Sequence, residues 1–203
     1  MGKEVCARAI EASRVEVQEW CLDHIALSPL DETELFCVAC RHDAIACAHK
    51  LLQRRGHGML NCQFYVHPLF IATTNGSTGC MHLILDTGFR DFSATDTNGR
   101  TLLMEACFHG DLVAAGLLIE HGAIRGASEA FLLATEYTWP ECMELLLEMD
   151  YKVQMPLGEA LKVACSSSTF AKCREMCVRV LLNALNALNA PAAPAAPAAG
   201  AAG

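Results

Sequence analysis

Soft metal ligands crowd one short stretch of the sequence: Cys37-Val38-Ala39-Cys40-Arg41-His42, with Cys47 and His49 close behind. A C-x-x-C step followed by His and Cys is a donor set that zinc prefers, and the same thiols could serve a redox sensor. Cys173 and Cys177, one helical turn apart, offer a second such pair, and Cys107 with His109 places a nucleophile near a base. Each group also has a plainer reading. Cys37 and Cys40 straddle Ala39 on a helix whose partner begins near Ala44, which puts some of the sulfurs inside a helix pair instead of at one point. The Cys173/Cys177 spacing is equally that of i, i+4 apolar packing, and two residues apart on a helix, Cys107 and His109 do not face each other. No G-x-S-x-G, P-loop, H-E-x-x-H or paired-glycine phosphate loop occurs. The expectation is therefore of no catalytic residue, no metal ligand and no cofactor, and the thiols must be explained by the elements that hold them.

The element that recurs is clearest at 96–123, DTNGRTLLMEACFHGDLVAAGLLIEHGA. Asp96, Thr97, Asn98 and Gly99 predict a tight turn, braced by an Asx side chain and completed by a residue free to take positive φ. Thr101 is placed to cap a short helix in which Leu103 and Ala106 share a face, the alanine leaving room for a neighbouring helix. Gly110 and Asp111 end that helix and cap a second, where Val113, Leu117 and Leu118 recur at the helical period until Gly122. Helices this short fall below the roughly 12 to 15 residues that are even marginal alone in water. The unit must stack on copies of itself.

The pattern D-x-x-G-x-T-x-L-x-x-A-x-x-x-G-x(6)-L-L-x-x-x-G-A resembles the ankyrin repeat. It is carried by Asp96, Gly99, Thr101, Leu103, Ala106, Gly110, Leu117, Leu118, Gly122 and Ala123, with Leu102 and Met104 standing where the family has Pro and His. With Ala106 as a ruler, an apolar residue three before a small one recurs at Cys6/Ala9, Phe36/Ala39, Leu69/Ala72, Phe131/Ala134 and Leu161/Ala164. The alanines are 30, 33, 34, 28 and 30 residues apart. The resemblance implies an all-α ankyrin solenoid of about six helix-turn-helix repeats with short β-hairpin-like fingers and degenerate terminal repeats.

The repeats are expected at about 3–30, 31–60, 64–95, 96–126, 127–155 and 156–182, forming one domain over 1–182. In the first, Glu11, Arg14, Glu16, Gln18 and Glu19 suggest the polar outer faces of a terminal cap. Ser28-Pro29-Leu30-Asp31 should turn the chain into the next helix. The third keeps the family's proline at Pro68, and Pro140 sits early in a second helix of the fifth, where a missing N–H does no harm. The sixth needs about five extra residues to bring Val180, Leu181 and Leu182 into register. Residues 183–203, rich in Ala, Pro and Asn, have too few large apolar groups to offset the entropy of ordering, and read as a disordered tail that Pro191 keeps from being helical far beyond Leu182.

The 203 residues carry a formal charge of −8, which disfavours a nucleic-acid backbone as partner. Twelve cysteines without an apolar leader suit a reducing compartment, the cytoplasm or the nucleus, where Cys serves as a small buried hydrophobe. No apolar run is long enough for a membrane span. By the resemblance, the chain is a monomeric, non-catalytic scaffold or adaptor that holds a protein partner on its concave face, the zinc-binding or redox-sensing module being the alternative. The resemblance places the partner-binding residues at Arg41, His42, Thr74, Asn75, Phe108, His109, Glu136 and Tyr137 on the inner helix ends. Phe64, Tyr65, Thr97, Asn98 and Arg100 fall on the fingers.

Overall fold

Caps and breakers in the sequence set where helices start and stop. The computed structural model describes residues 2–60, 67–149, 155–166 and 171–189. Among them the helices run α1 (Gly2–Glu11), α2 (Val15–His24), α3 (Pro29–Arg41), α4 (Ile45–Arg55), α5 (Pro68–Thr74), α6 (Thr78–Asp86), α7 (Leu102–His109), α8 (Leu112–Glu120), α9 (Ala127–Glu136), α10 (Pro140–Glu148), α11 (Leu157–Ser166) and α12 (Ala171–Asn189). Ser28 closes a capping box with Asp31, its Oγ accepting from the Asp31 N–H at 3.1 Å while the Ser28 N–H donates back to Oδ2 at 3.2 Å. Thr101 accepts from Met104 N–H at 3.3 Å and Asp111 from Ala114 N–H at 2.9 Å. Pro140 opens α10, where its missing N–H costs no bond.

Consecutive helices form antiparallel pairs, and the pairs stack in two layers. The odd-numbered helices pack side by side, each on the next, and the even-numbered ones do the same behind them. The reason lies in the ladders. Ala9, Ala39, Ala72, Ala106, Ala134 and Ala164 are all buried, as are Cys6, Phe36, Leu69, Leu103 and Phe131 three residues before them, with Leu161 partly covered by the same core. A second ladder runs through the even helices at Cys21, Leu51, Ile84, Leu118 and Leu146. It continues at Leu181, five residues late, as the insertion in the sixth unit requires. A third contains Cys47, Cys80, Ala114, Cys142 and Cys177, so four of the thiols stand where only a small side chain fits between repeats.

The turn before α7 forms as its sequence dictates. Asp96 Oδ1 accepts from the N–H groups of Asn98 at 2.8 Å and Arg100 at 2.7 Å, and Gly99 takes φ +77°. The finger itself is slighter than a hairpin: among the described residues the pairing is one isolated antiparallel bridge, Thr95 with Thr101.

Two terminal features differ from the sequence reading. Gln18 faces inward, its side chain donating to the Ala9 carbonyl at 3.1 Å, while Val5, Val17 and Trp20 stand on the outside of the first pair. At the other end α12 runs to Asn189, past the boundary expected at Leu182. The repeated Asn-Ala-Leu triplets carry Ala and Leu, the strongest helix formers, and no breaker until Pro191. No helix among the described residues is long and apolar enough to cross a membrane.

His67 makes stability depend on pH. It caps α5, with Nδ1 accepting from the Leu69 N–H at 3.1 Å and the ring stacked on Phe89 at 4.8 Å. Burial pushes its pKa below the ordinary 6.5, against the opposing pull of the Leu60 backbone and Asp91. The unfolded chain thus takes up the proton first as pH falls. Stability contributed by neutral His67 is complete above about pH 6.5 and is lost as pH drops from there through the depressed folded value. Protonated Nδ1 can no longer accept the cap bond. Urea midpoints at pH 8 and pH 5.5 should therefore differ less in His67→Asn, which caps without titrating, than in the wild type; equal differences would show that His67 is not the group responsible.

Candidate functional site

The odd-numbered helices end along one edge of the stack, and their last residues form the candidate site. Arg41 ends α3 and His42 caps it; both are exposed. Thr74 ends α5 and Asn75 caps it, the Asn75 side chain donating to the Ile71 carbonyl at 2.8 Å. Phe108 and His109 end α7, and Glu136 with its cap Tyr137 ends α9. Thr97 and Asn98 are exposed at the tip of the turn, and Arg100 is half-buried below it. Phe64 and Tyr65 lie outside the described residues.

The structure gathers part of this set around a carboxylate that the sequence analysis passed over. Glu105, its side chain only 7% exposed, accepts from Arg100 Nη1 at 3.0 Å and from Thr74 Oγ1 at 3.3 Å, and pairs with His109 Nε2 at 3.2 Å. Asp96 adds a second carboxylate 3.6 Å from Arg100 Nε. The end of α5 is thereby tied, across 31 residues of sequence, to α7 and the turn that precedes it. The available signal was Glu105 four residues before His109, an i, i+4 pair on one helix face.

The aromatic residues form a second cluster that continues the first. The Arg100 guanidinium lies over the Phe108 ring, 4.0 Å from its centroid, and the Tyr137 ring meets Phe108 edge-on at 4.6 Å. Trp139 Nε1 donates to the Phe108 carbonyl at 3.3 Å. Phe108 is thus half-buried between an arginine and a tyrosine, while Tyr137, His109 and Trp139 reach solvent. What the surface offers a partner is aromatic edge, imidazole, amide and hydroxyl on rigid helix ends.

Among the described residues, the reactive-looking groups of the second repeat are divided between core and surface, and the Cys173 side chain lies outside the described residues. Cys40 and Cys47 are buried in the core, whereas His42 and His49 are exposed, and among the described residues no three His, Cys, Asp or Glu side chains converge as a metal site would need. Burial, with the neighbouring Cys6 and Cys80, pushes the Cys47 thiol up to about 12. The same effect, with Cys21, takes Cys6 to about 11. Thiols so held are protonated, and poor nucleophiles, near neutral pH. Cys107 is hydrogen-bonded to Cys142 and buried, which holds its thiol well above the ordinary range and apart from exposed His109.

Comparison with known proteins agrees with this fold. Residues 35–128 match a family model described as ankyrin repeats, three copies. The chain superposes on the crystal structure of the human ASB11 ankyrin repeat domain with a TM-score of 0.68 and 20% identity, covering 88% of this chain and 82% of that one. Matching chains among solved structures number 130, so the likeness defines an architecture and singles out no partner. No curated protein matches the chain.

Proposed function

We propose that this chain, whose residues 35–128 match ankyrin repeats and which has the fold of an ankyrin repeat domain, acts as a non-catalytic scaffold or adaptor that holds a protein partner on the concave face formed by the ends of α3, α5, α7 and α9. Ankyrin repeats are in general protein–protein interaction modules, and the fold is typically non-enzymatic. The observation that carries the reading is the Glu105 network. A nearly buried carboxylate that fixes Arg100, Thr74 and His109 gives exposed groups a set geometry before any partner arrives, which reduces the ordering cost of association. Aromatic and Arg side chains on such a surface are the residue types that become hot spots. A core filled by protonated thiols suits a reducing compartment, and we place the protein in the cytoplasm or the nucleus.

The test uses exposed positions so that folding is spared. Arg41→Glu with Tyr137→Ser should leave the circular dichroism near wild type and cost no more than about 0.5 to 1.5 kcal/mol, the worth of the edge-on Tyr137–Phe108 pair that serine removes. Capture of the partner from native cells should weaken by about tenfold or more, equivalent to about 1.4 kcal/mol. A partner retained equally by the folded variant would place binding elsewhere. Phe108 is left unsubstituted because its ring is part of the packing.

A further inference from the structure

The repeat register exposes an end surface that every later repeat covers. Three positions of the unit face the preceding repeat. Four residues before the ruler alanine stand Leu35, Pro68, Leu102, Ala130 and Ala160, all buried; the first repeat has Val5, 48% exposed. On the second-helix ladder, where Cys47, Cys80, Ala114 and Cys142 are buried, the first repeat has Val17, 38% exposed. Where Leu117 is buried and Lys50 reaches back to the previous repeat, it has Trp20, 57% exposed. A capping repeat would carry polar groups at all three.

The surface such a face fits is the trailing side of a repeat, and the chain has one at its other end. Leu22, Leu52 and Leu85 occupy one position of the unit and are buried; the sixth repeat has Leu182 there, 47% exposed. We propose that the Val5/Val17/Trp20 face of one copy docks on the Leu182 face of a second copy, continuing the solenoid head to tail. The contact has a template inside the molecule. Lys50 of α4 donates to Asp23 at 2.7 Å and to the Glu19 carbonyl at 3.5 Å on α2. At the junction Trp20 takes the place of Lys50, and the Arg179 carbonyl and Asn183 side chain of the second copy take those of the Glu19 carbonyl and the Asp23 carboxylate, acceptors that an indole N–H can also use.

Charge supports the same direction. With Lys3 and Asp23 taken up by the second repeat, residues 2–24 keep Glu4, Glu11, Glu16 and Glu19 against Arg8 and Arg14, whereas residues 157–189 carry Lys162, Lys172, Arg174 and Arg179 against Glu159 and Glu175. Unlike charges meet head to tail, and like charges meet in either symmetric arrangement. A heterologous contact of this kind does not close, so it yields chains of growing length and departs from the monomer expected from sequence.

Sedimentation velocity of the whole chain over a wide concentration range tests the proposal. The wild type should sediment faster as concentration rises. Trp20→Glu and Leu182→Glu should each move the onset of association at least about tenfold higher. An equimolar mixture of the two variants keeps one intact face of each kind, so it should form a dimer and stop there. A wild type that stays monomeric throughout overturns the proposal. So does a mixture that stays monomeric, or association abolished by Trp20→Glu but untouched by Leu182→Glu, which would mean a symmetric contact. Circular dichroism verifies folding, and Val17→Glu replaces Trp20→Glu if the latter unfolds. Neither face includes the inner helix ends, so partner binding is a separate readout.

Discussion

Phe131→Ala should lower the stability of this protein by about 3 to 5 kcal/mol, the range for deleting a large ring from a tightly packed interior. Phe131 lies in α9, which packs on α7, α10 and α11, and it is fully buried on the ladder that runs through Phe36, Leu69 and Leu103. A solenoid has no separate core to absorb the loss. Each repeat is held by its neighbours, so a cavity at Phe131 weakens both the contact toward α7 and the contact toward α11. The appropriate control is Val113→Ala on the same stack, which is 58% exposed and should shift the midpoint by no more than about 0.5 kcal/mol. Urea unfolding followed by circular dichroism separates the two. Phe131→Ala with a wild-type midpoint would mean that the ladder does not support the fold.

The ladders were legible in sequence because their spacing is a local constraint repeated at near-constant intervals: a large apolar residue, then a small one three later, then an apolar run in the second helix. Thr101, Asp111, Gly99 and Ser28 were legible for the same reason, since a cap or turn bonds to backbone within four residues. The Glu105 network was not, because Thr74 comes to it from the previous repeat and Arg100, although only five residues away, reaches it from a turn outside the helix, where no helical spacing pairs the two. The first repeat misled for a related reason. Its many charges suggest a polar cap, yet what matters is which positions face outward, and Val5, Val17 and Trp20 hold those. Phe108 was legible as an aromatic at a helix end but not as a ring held between Arg100 and Tyr137. The Tyr137 contact crosses from one repeat to the next, and only the stack brings the two rings together.

Gly110 ties the packing of the stack to the candidate binding face, and a comparison of two glycines shows how. Gly110 and Gly122 both hold positive φ, +68° and +85°, so alanine at either carries the left-handed penalty of about 1 to 2 kcal/mol. A Cβ at Gly122 meets nothing within 4 Å, whereas at Gly110 it would overlap the Trp139 ring, 2.6 Å from Cε2. Gly122→Ala should therefore cost the strain alone, and Gly110→Ala an additional 1 to 3 kcal/mol or about that for overpacking. In a Trp139→Ala background the excess should vanish, because the obstructing ring is gone and the two costs converge. Equal costs in the wild-type background would mean that Trp139 yields freely and is no part of the packing. If the excess is found, displacement of Trp139 also removes the bond from Nε1 to the Phe108 carbonyl, which ties the turn between α9 and α10 to the end of α7. Residual folded Gly110→Ala should then bind its partner more weakly than Gly122→Ala does, although neither glycine carries a side chain for a partner to touch.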